Sequence, residues 1–130
     1  MWIDIQLSYL NEHIQSPFRV HASLDEIPNP VDKKFYFQTE LEGSHDQKLN
    51  RLAQMVIDDS ETTDDDWFLF LDGDAFPIGD VVEYGHEKLA QFPLAAVQRL
   101  ENNNDIQPHP CFCLTTVGFW KKIKRSWSPG

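Results

Sequence analysis

The sequence predicts an α/β domain in which helices alternate with short apolar strands gathered into a mostly parallel sheet. Three observations carry that expectation. Trp67-Phe68-Leu69-Phe70-Leu71 is uninterrupted apolar, as in a strand buried on both faces of a parallel sheet. Between Ser44 and Asp58, Leu49, Leu52, Ala53, Val56 and Ile57 recur at i, i+3, i+4, i+7 and i+8, which is one apolar helix face. The chain has 130 residues, 41% hydrophobic and 25% charged, the size and composition of one domain with a real core.

The elements follow in order. Met1 to Gln15 carries both a helical stripe (Ile3, Leu7, Leu10, Ile14) and a strand-like alternation (Ile3, Ile5, Leu7, Tyr9). Its length and its polar tail Asn11-Glu12-His13 favour a helix, ended by Ser16-Pro17. Phe18 to Leu24 reads as a strand. Ile27-Pro28-Asn29-Pro30 is a turn-forming linker, because proline fixes φ and has no N–H to donate. Lys34 to Thr39 reads as a second short strand. The helix after it opens on Ser44 and Gln47, the spacing of a capping box.

Residues 58–66 hold five aspartates and a glutamate and read as a solvated acidic loop. Beyond the apolar strand, helical patterning returns over Asp80 to Gln91 with Val81, Val82, Leu89 and Ala90. Leu94 to Leu100 and Cys111 to Val117 read as strands, separated by the polar run Glu101-Asn102-Asn103-Asn104-Asp105. Phe119 to Trp127 reads as a short basic helix.

Charge narrows the function classes. Eleven Lys and Arg face 21 Asp and Glu, a net of −10, so a global basic footprint for nucleic acid is absent. Residues 106–130 carry four cations, Lys121, Lys122, Lys124 and Arg125, and no acid, which concentrates the negative charge in residues 1–105. A body this acidic needs a divalent metal or a local donor cluster to bind an anion. No apolar run reaches the ~18–20 residues that cross a bilayer, and no leader-like segment opens the chain. With two cysteines, Cys111 and Cys113, a disulfide scaffold is excluded and a reducing cytoplasm is the expected compartment.

The chemistry-bearing motif is Asp72-Gly73-Asp74, followed by Ala75-Phe76-Pro77. Two acids separated by glycine stand where the most apolar strand ends, and in open α/β sheets ligands bind beyond the carboxyl ends of strands. Glycine permits a sharp turn or a close backbone approach. Two carboxylates suit Mn²⁺ or Mg²⁺, whose remaining positions water and diphosphate fill. The ordinary alternative is a turn capped by Asp72 with Asp74 solvated.

In that context Trp67 to Ile78 resembles the Asp-x-Asp strand of the GT-A fold glycosyltransferases, with its following proline and helix. The run from Gly43 to Leu52 is similar to the polar helix start that precedes that strand. Gln98 to Trp120 looks like the next strand-loop-strand of a small glycosyltransferase-like family. The resemblance implies a Rossmann-like sheet and a nucleotide-diphospho-sugar donor held through Mn²⁺ or Mg²⁺, the sugar passing to an unknown acceptor. It implies Asp74 as the direct metal ligand, with Asp72 toward ribose or a metal-bound water. Asn50 and Arg51 become contacts near the donor, and His109 a late contact to metal or diphosphate. The chain departs from the pattern at its start. Met1 opens almost directly on the first helix, so the preceding strand is missing, the sheet lacks a central member, and the exposed edge invites a homo-oligomer.

Other constellations are weaker. His109, Cys111 and Cys113 alternate along one strand face, but no fourth zinc ligand follows at standard spacing. Glu101 and Asp105 lie in a loop at the ligand edge, and either suits the base that takes a proton from an acceptor hydroxyl. A phosphatase that uses the first Asp of Asp-x-Asp as nucleophile needs acids well downstream, and none follows Asp105. A degenerate α/β domain that binds without turnover is the non-enzymatic alternative.

Overall fold

The computed structural model describes residues 2–23, 37–39, 41–73, 75–97, 109–123 and 127. Along the chain run α1 (Trp2–His13), β1 (His21–Ser23), β2 (Phe37–Thr39), α2 (His45–Asp58) and β3 (Trp67–Leu71). After them come α3 (Val81–Leu89), β4 (Leu94–Val97), β5 (His109–Thr116) and α4 (Val117–Lys122). The architecture is mixed α/β, as expected. The sheet is not the mostly parallel, Rossmann-like one that the apolar strands suggested.

Among the described residues, β3, β5 and β4 form a three-stranded sheet in that order, with β5 antiparallel to both neighbours. β1 and β2 form a separate parallel pair. The reason for the difference is specific. β3 and β4 do run in the same direction, joined through α3 as a β-α-β unit, but β5 lies between them and runs the other way. An apolar run reports burial, not the direction of the neighbouring strand. The burial of β3 agrees with an antiparallel sheet. Phe68 and Phe70 are buried while Trp67, Leu69 and Leu71 are half-buried, so one face is sealed more completely than the other.

The helices form where local signals are strongest. α2 begins at a complete capping box: Ser44 Oγ accepts from Gln47 N at 3.2 Å, and Gln47 Oε1 accepts from Ser44 N at 3.0 Å. Removing such a cap typically costs about 1 kcal/mol. Gly43 precedes it at φ 113°, a left-handed conformation that side-chain-bearing residues rarely adopt. α3 is capped by Asp80, whose carboxylate accepts from Glu83 N at 3.0 Å. α4 starts at Val117, earlier than the basic stretch suggested. Thr116 Oγ1 accepts from Phe119 N, while Val117 N and Gly118 N donate to the carbonyls of Asp66 and Asp64. The acidic loop is therefore pinned through its backbone, although the side chains of Asp64, Asp65 and Asp66 stay exposed. Lys121 Nζ donates to Asp64 Oδ1 at 2.7 Å, and this bond holds the Asp64 carboxyl below its usual range.

The main core lies under α2. Ala53, Phe68, Phe70, Cys113, Val117 and Trp120 form one buried cluster, with Leu49, Val56, Ile57, Leu94 and Trp127 packed around them. Burying each large apolar side chain contributes roughly 1.5–3 kcal/mol, so this cluster is the principal stabilising feature. At the start of β1, Arg19 pairs with Asp59 and Glu61 just beyond the end of α2. α3 covers the opposite face through Gly85. A Cβ there would overlap the Trp67 indole and stand 3.0 Å from Leu114 Cδ2, so the close approach requires glycine. Gly85→Ala gains about 1 kcal/mol in helix propensity. Overpacking costs roughly 1–3 kcal/mol, so the variant is expected to lose about 1 kcal/mol net in urea unfolding; unchanged or increased stability would show that α3 packs less closely.

Candidate functional site

The carboxyl end of β3 is built by three elements. The ladder to β5 closes with Asp72 N donating to Cys111 O at 3.3 Å. It stops there because both remaining partners are diverted. Cys111 N donates to His109 Nδ1 at 3.0 Å, and Asp72 O accepts instead from Ala75 N at 3.1 Å. From α1, Gln6 Nε2 donates to Asp72 O and to Ala75 O, both at 2.8 Å, using both of its hydrogens. Tyr9 stacks on Phe76 at 4.5 Å between ring centroids, so α1 clamps the turn from both ends.

The Asp72 side chain points back into this corner. His45, the first residue of α2, brings its Nε2 within 3.0 Å of Asp72 Oδ1, an ion pair when the ring is protonated. The spacing suits a hydrogen bond but the direction does not, and Oδ1 is buried without an aligned donor among the described residues. His45 itself is exposed, so in water the pair adds little stability. Among the described residues nothing lies within 4 Å of where a Cβ on Gly73 would stand, and its φ is not positive. The glycine therefore leaves the turn open on that side; neither a strained backbone nor close packing requires it.

The residues expected at the site divide into three groups. Asp72 and His109 stand at the same end of the sheet. His109 Nδ1 is engaged by Cys111 N, which leaves Nε2 as its only nitrogen for a ligand. Asp74, Glu101 and Asp105 lie outside the described residues. Asn50 and Arg51 are otherwise engaged. Asn50 Nδ2 donates to Trp127 O at 2.9 Å and Asn50 Oδ1 accepts from Trp127 N at 2.6 Å, a two-way latch onto the segment after α4. Arg51 is exposed and reaches the Glu42 carbonyl at 3.4 Å. Among the described residues, no three His, Cys, Asp or Glu side chains converge where one metal ion could sit.

Two residues at the site were not singled out from the sequence. His45 lies inside the 43–52 run already noted, where its place beside the capping serine was the available signal. Gln6 had none, since its partners are 66 and 69 residues away.

Cys111 and Cys113 are free thiols, Cys111 half-buried and Cys113 buried in the core. Burial pushes the Cys113 thiol up to about 12, so it is neutral at ordinary pH and a poor metal ligand. A groove of about 480 Å³ lined by Phe92, Pro93, Phe119 and Lys121 lies beside Asp64, before β3 begins, at the opposite end of the sheet from Asp72. Among the described residues no helix is long and apolar enough to cross a membrane. No protein-family model matches the chain, and no curated protein or solved structure matches it.

Two expectations follow. Asn50→Ala removes both of these hydrogen bonds to the Trp127 backbone, and about 1–3 kcal/mol of stability should be lost in urea unfolding followed by tryptophan fluorescence. A variant that unfolds like the parent would show that the latch contributes nothing. Iodoacetamide at pH 8 should modify Cys113 only after unfolding, with Cys111 setting the native rate; rapid native labelling of Cys113 by mass spectrometry would contradict its burial.

Proposed function

We propose that the chain is a glycosyltransferase-like domain that binds a nucleotide-diphospho-sugar at the carboxyl end of β3. In this reading Asp72 and Asp74 hold Mn²⁺ or Mg²⁺ and the sugar passes to an acceptor hydroxyl. The observation that carries it is the Asp72 carboxylate, which closes the most apolar strand with its Oδ1 buried and no aligned donor on it among the described residues. Leaving a buried acceptor in that state costs roughly 1–3 kcal/mol, a cost that a bound cation would offset. A hard carboxylate oxygen suits either ion. When bound, the cation offsets the charge that builds on the diphosphate as it leaves.

The protein's own contribution is position. Gln6 holds the carbonyls of Asp72 and Ala75, so the backbone at Asp72 is anchored to α1 before any ligand arrives. His45, exposed beside Asp72, can donate from Nε2 to a phosphate oxygen. Either Glu101 or Asp105 is proposed to take the proton from the acceptor hydroxyl, the step that lets its oxygen form the new glycosidic bond as the nucleoside diphosphate leaves. His109 Nε2 is proposed as a late contact to the same diphosphate.

One observation favours the second reading, a domain that binds without turnover. Asn50, expected near the donor, is part of the fold through Trp127. Calorimetric titration with several nucleoside diphosphates and nucleotide sugars, with and without Mn²⁺, separates these readings from no binding at all. Mn²⁺ should tighten binding, Asp74→Asn should abolish that gain, and Asp72→Asn should weaken it less. Binding that ignores both Mn²⁺ and Asp74→Asn, or no binding of any donor, would overturn the metal-dependent reading. Binding without transfer to any acceptor would favour the non-catalytic one.

A further inference from the structure

The outer edge of β3 carries backbone groups with no strand beside them among the described residues. Asp66 O accepts from Val117 N, and Asp72 N donates to Cys111 O, so both residues direct backbone groups at β5 or the turn after it. Phe68 lies opposite Thr115 and Phe70 opposite Cys113 in the same alternation. In an antiparallel pair the residues between these point the other way. The N–H and C=O groups of Trp67, Leu69 and Leu71 therefore face outward. Among the described residues β3 has β5 as its only strand neighbour, and no backbone group bonds to that outer row.

The two edges of the sheet are treated differently. β4 is preceded by Pro93, and its register breaks between Ala96 and Val97, two devices that discourage a further strand. β3 has neither. It is five apolar residues in regular register, without proline and without charge. Such an edge is a template for strand addition.

Charge at its ends selects the occupant. Asp65 and Asp66 precede β3 and Asp72 follows it, on a chain of net charge −10, while the neighbouring Asp64 is paired with Lys121. A second copy pairing antiparallel through β3 would set Asp65 and Asp66 of one chain toward Asp72 of the other. Pairing parallel would set the two aspartate pairs side by side. Both arrangements oppose like charges. We propose that the outer edge of β3 accepts an extended segment of a partner polypeptide, with alternating apolar residues in its middle and Lys or Arg at both ends. Its backbone would bond to Trp67, Leu69 and Leu71 while its basic ends meet the aspartates. This inference does not rest on the nucleotide-sugar reading, although both draw on the Asp72 carboxylate.

The test uses the full chain and the synthetic probe Lys-Lys-Val-Thr-Val-Thr-Val-Lys-Lys, titrated at low salt. The probe should bind about tenfold more tightly than the same peptide with Glu at its ends. Methylating the backbone nitrogens of one alternate set of its central residues should abolish binding, while methylating the other set leaves it intact. On binding, the amide protons of Leu69 and Leu71 should become protected from exchange. Three results would overturn the proposal: no binding of the Lys-flanked probe, equal binding of both methylated sets, or a dimer of the chain alone in which the Leu69 and Leu71 amides are already protected. The first would exclude strand addition, the second would reduce the contact to apolar adhesion, and the third would give the edge to a second copy.

Discussion

Strand β5 hydrogen-bonds on both of its edges, to β3 along Trp67–Leu71 and to β4 along Leu94–Val97. β3 and β4 make no ladder with each other, so without β5 there is no three-stranded sheet. The same strand supplies Cys113 to the core beneath α2 and Leu114 to the face beneath α3. Its carboxyl end becomes the cap of α4, and its amino end meets the Asp72 turn. The core under α2, the packing of α3 and the start of α4 all meet this strand.

What was legible in the sequence is what short-range physics encodes. The capping box at Ser44 and the apolar spacing from Leu49 to Ile57 specify α2 almost to the residue, because both signals lie within a few turns of the helix. The apolar run 67–71 marks β3 and its burial for the same reason. Strand direction is not encoded that way. Residues 111–117 alternate identically whichever way the strand enters the sheet, so only the tertiary path made β5 antiparallel. The end of β5 was also misread by one residue, since Val117 is apolar enough to continue a strand. The capping geometry of Thr116 begins the helix there instead.

The site was legible in part. Asp72 announced itself by standing at the end of an apolar strand, and His45 lay in a run already noted. Gln6 could not be found, because an amide within a helix looks the same whether it meets water or a carbonyl 66 residues away. Asn50 shows the opposite case. A polar residue beside the apolar stripe of α2 reads as a ligand contact or as solvated, whereas its partner is the backbone of Trp127, 77 positions further on. Long-range side-chain to backbone bonds leave no local pattern, and here they decide which polar residues are free to act.

Among the described residues the central strand is also the last strand along the chain. During synthesis β3 and β4 emerge before β5 exists, and neither can pair with the other in the final arrangement. The most apolar segment of the protein is therefore without its partner until residues 109–116 have been made, a delay that raises the risk of aggregation. Asp64, Asp65 and Asp66 on one side and Asp72 on the other then act as gatekeepers, since charges flanking an apolar strand oppose its self-association. The acidic loop that looks like a plain connector in the finished fold would have its main effect before that fold exists.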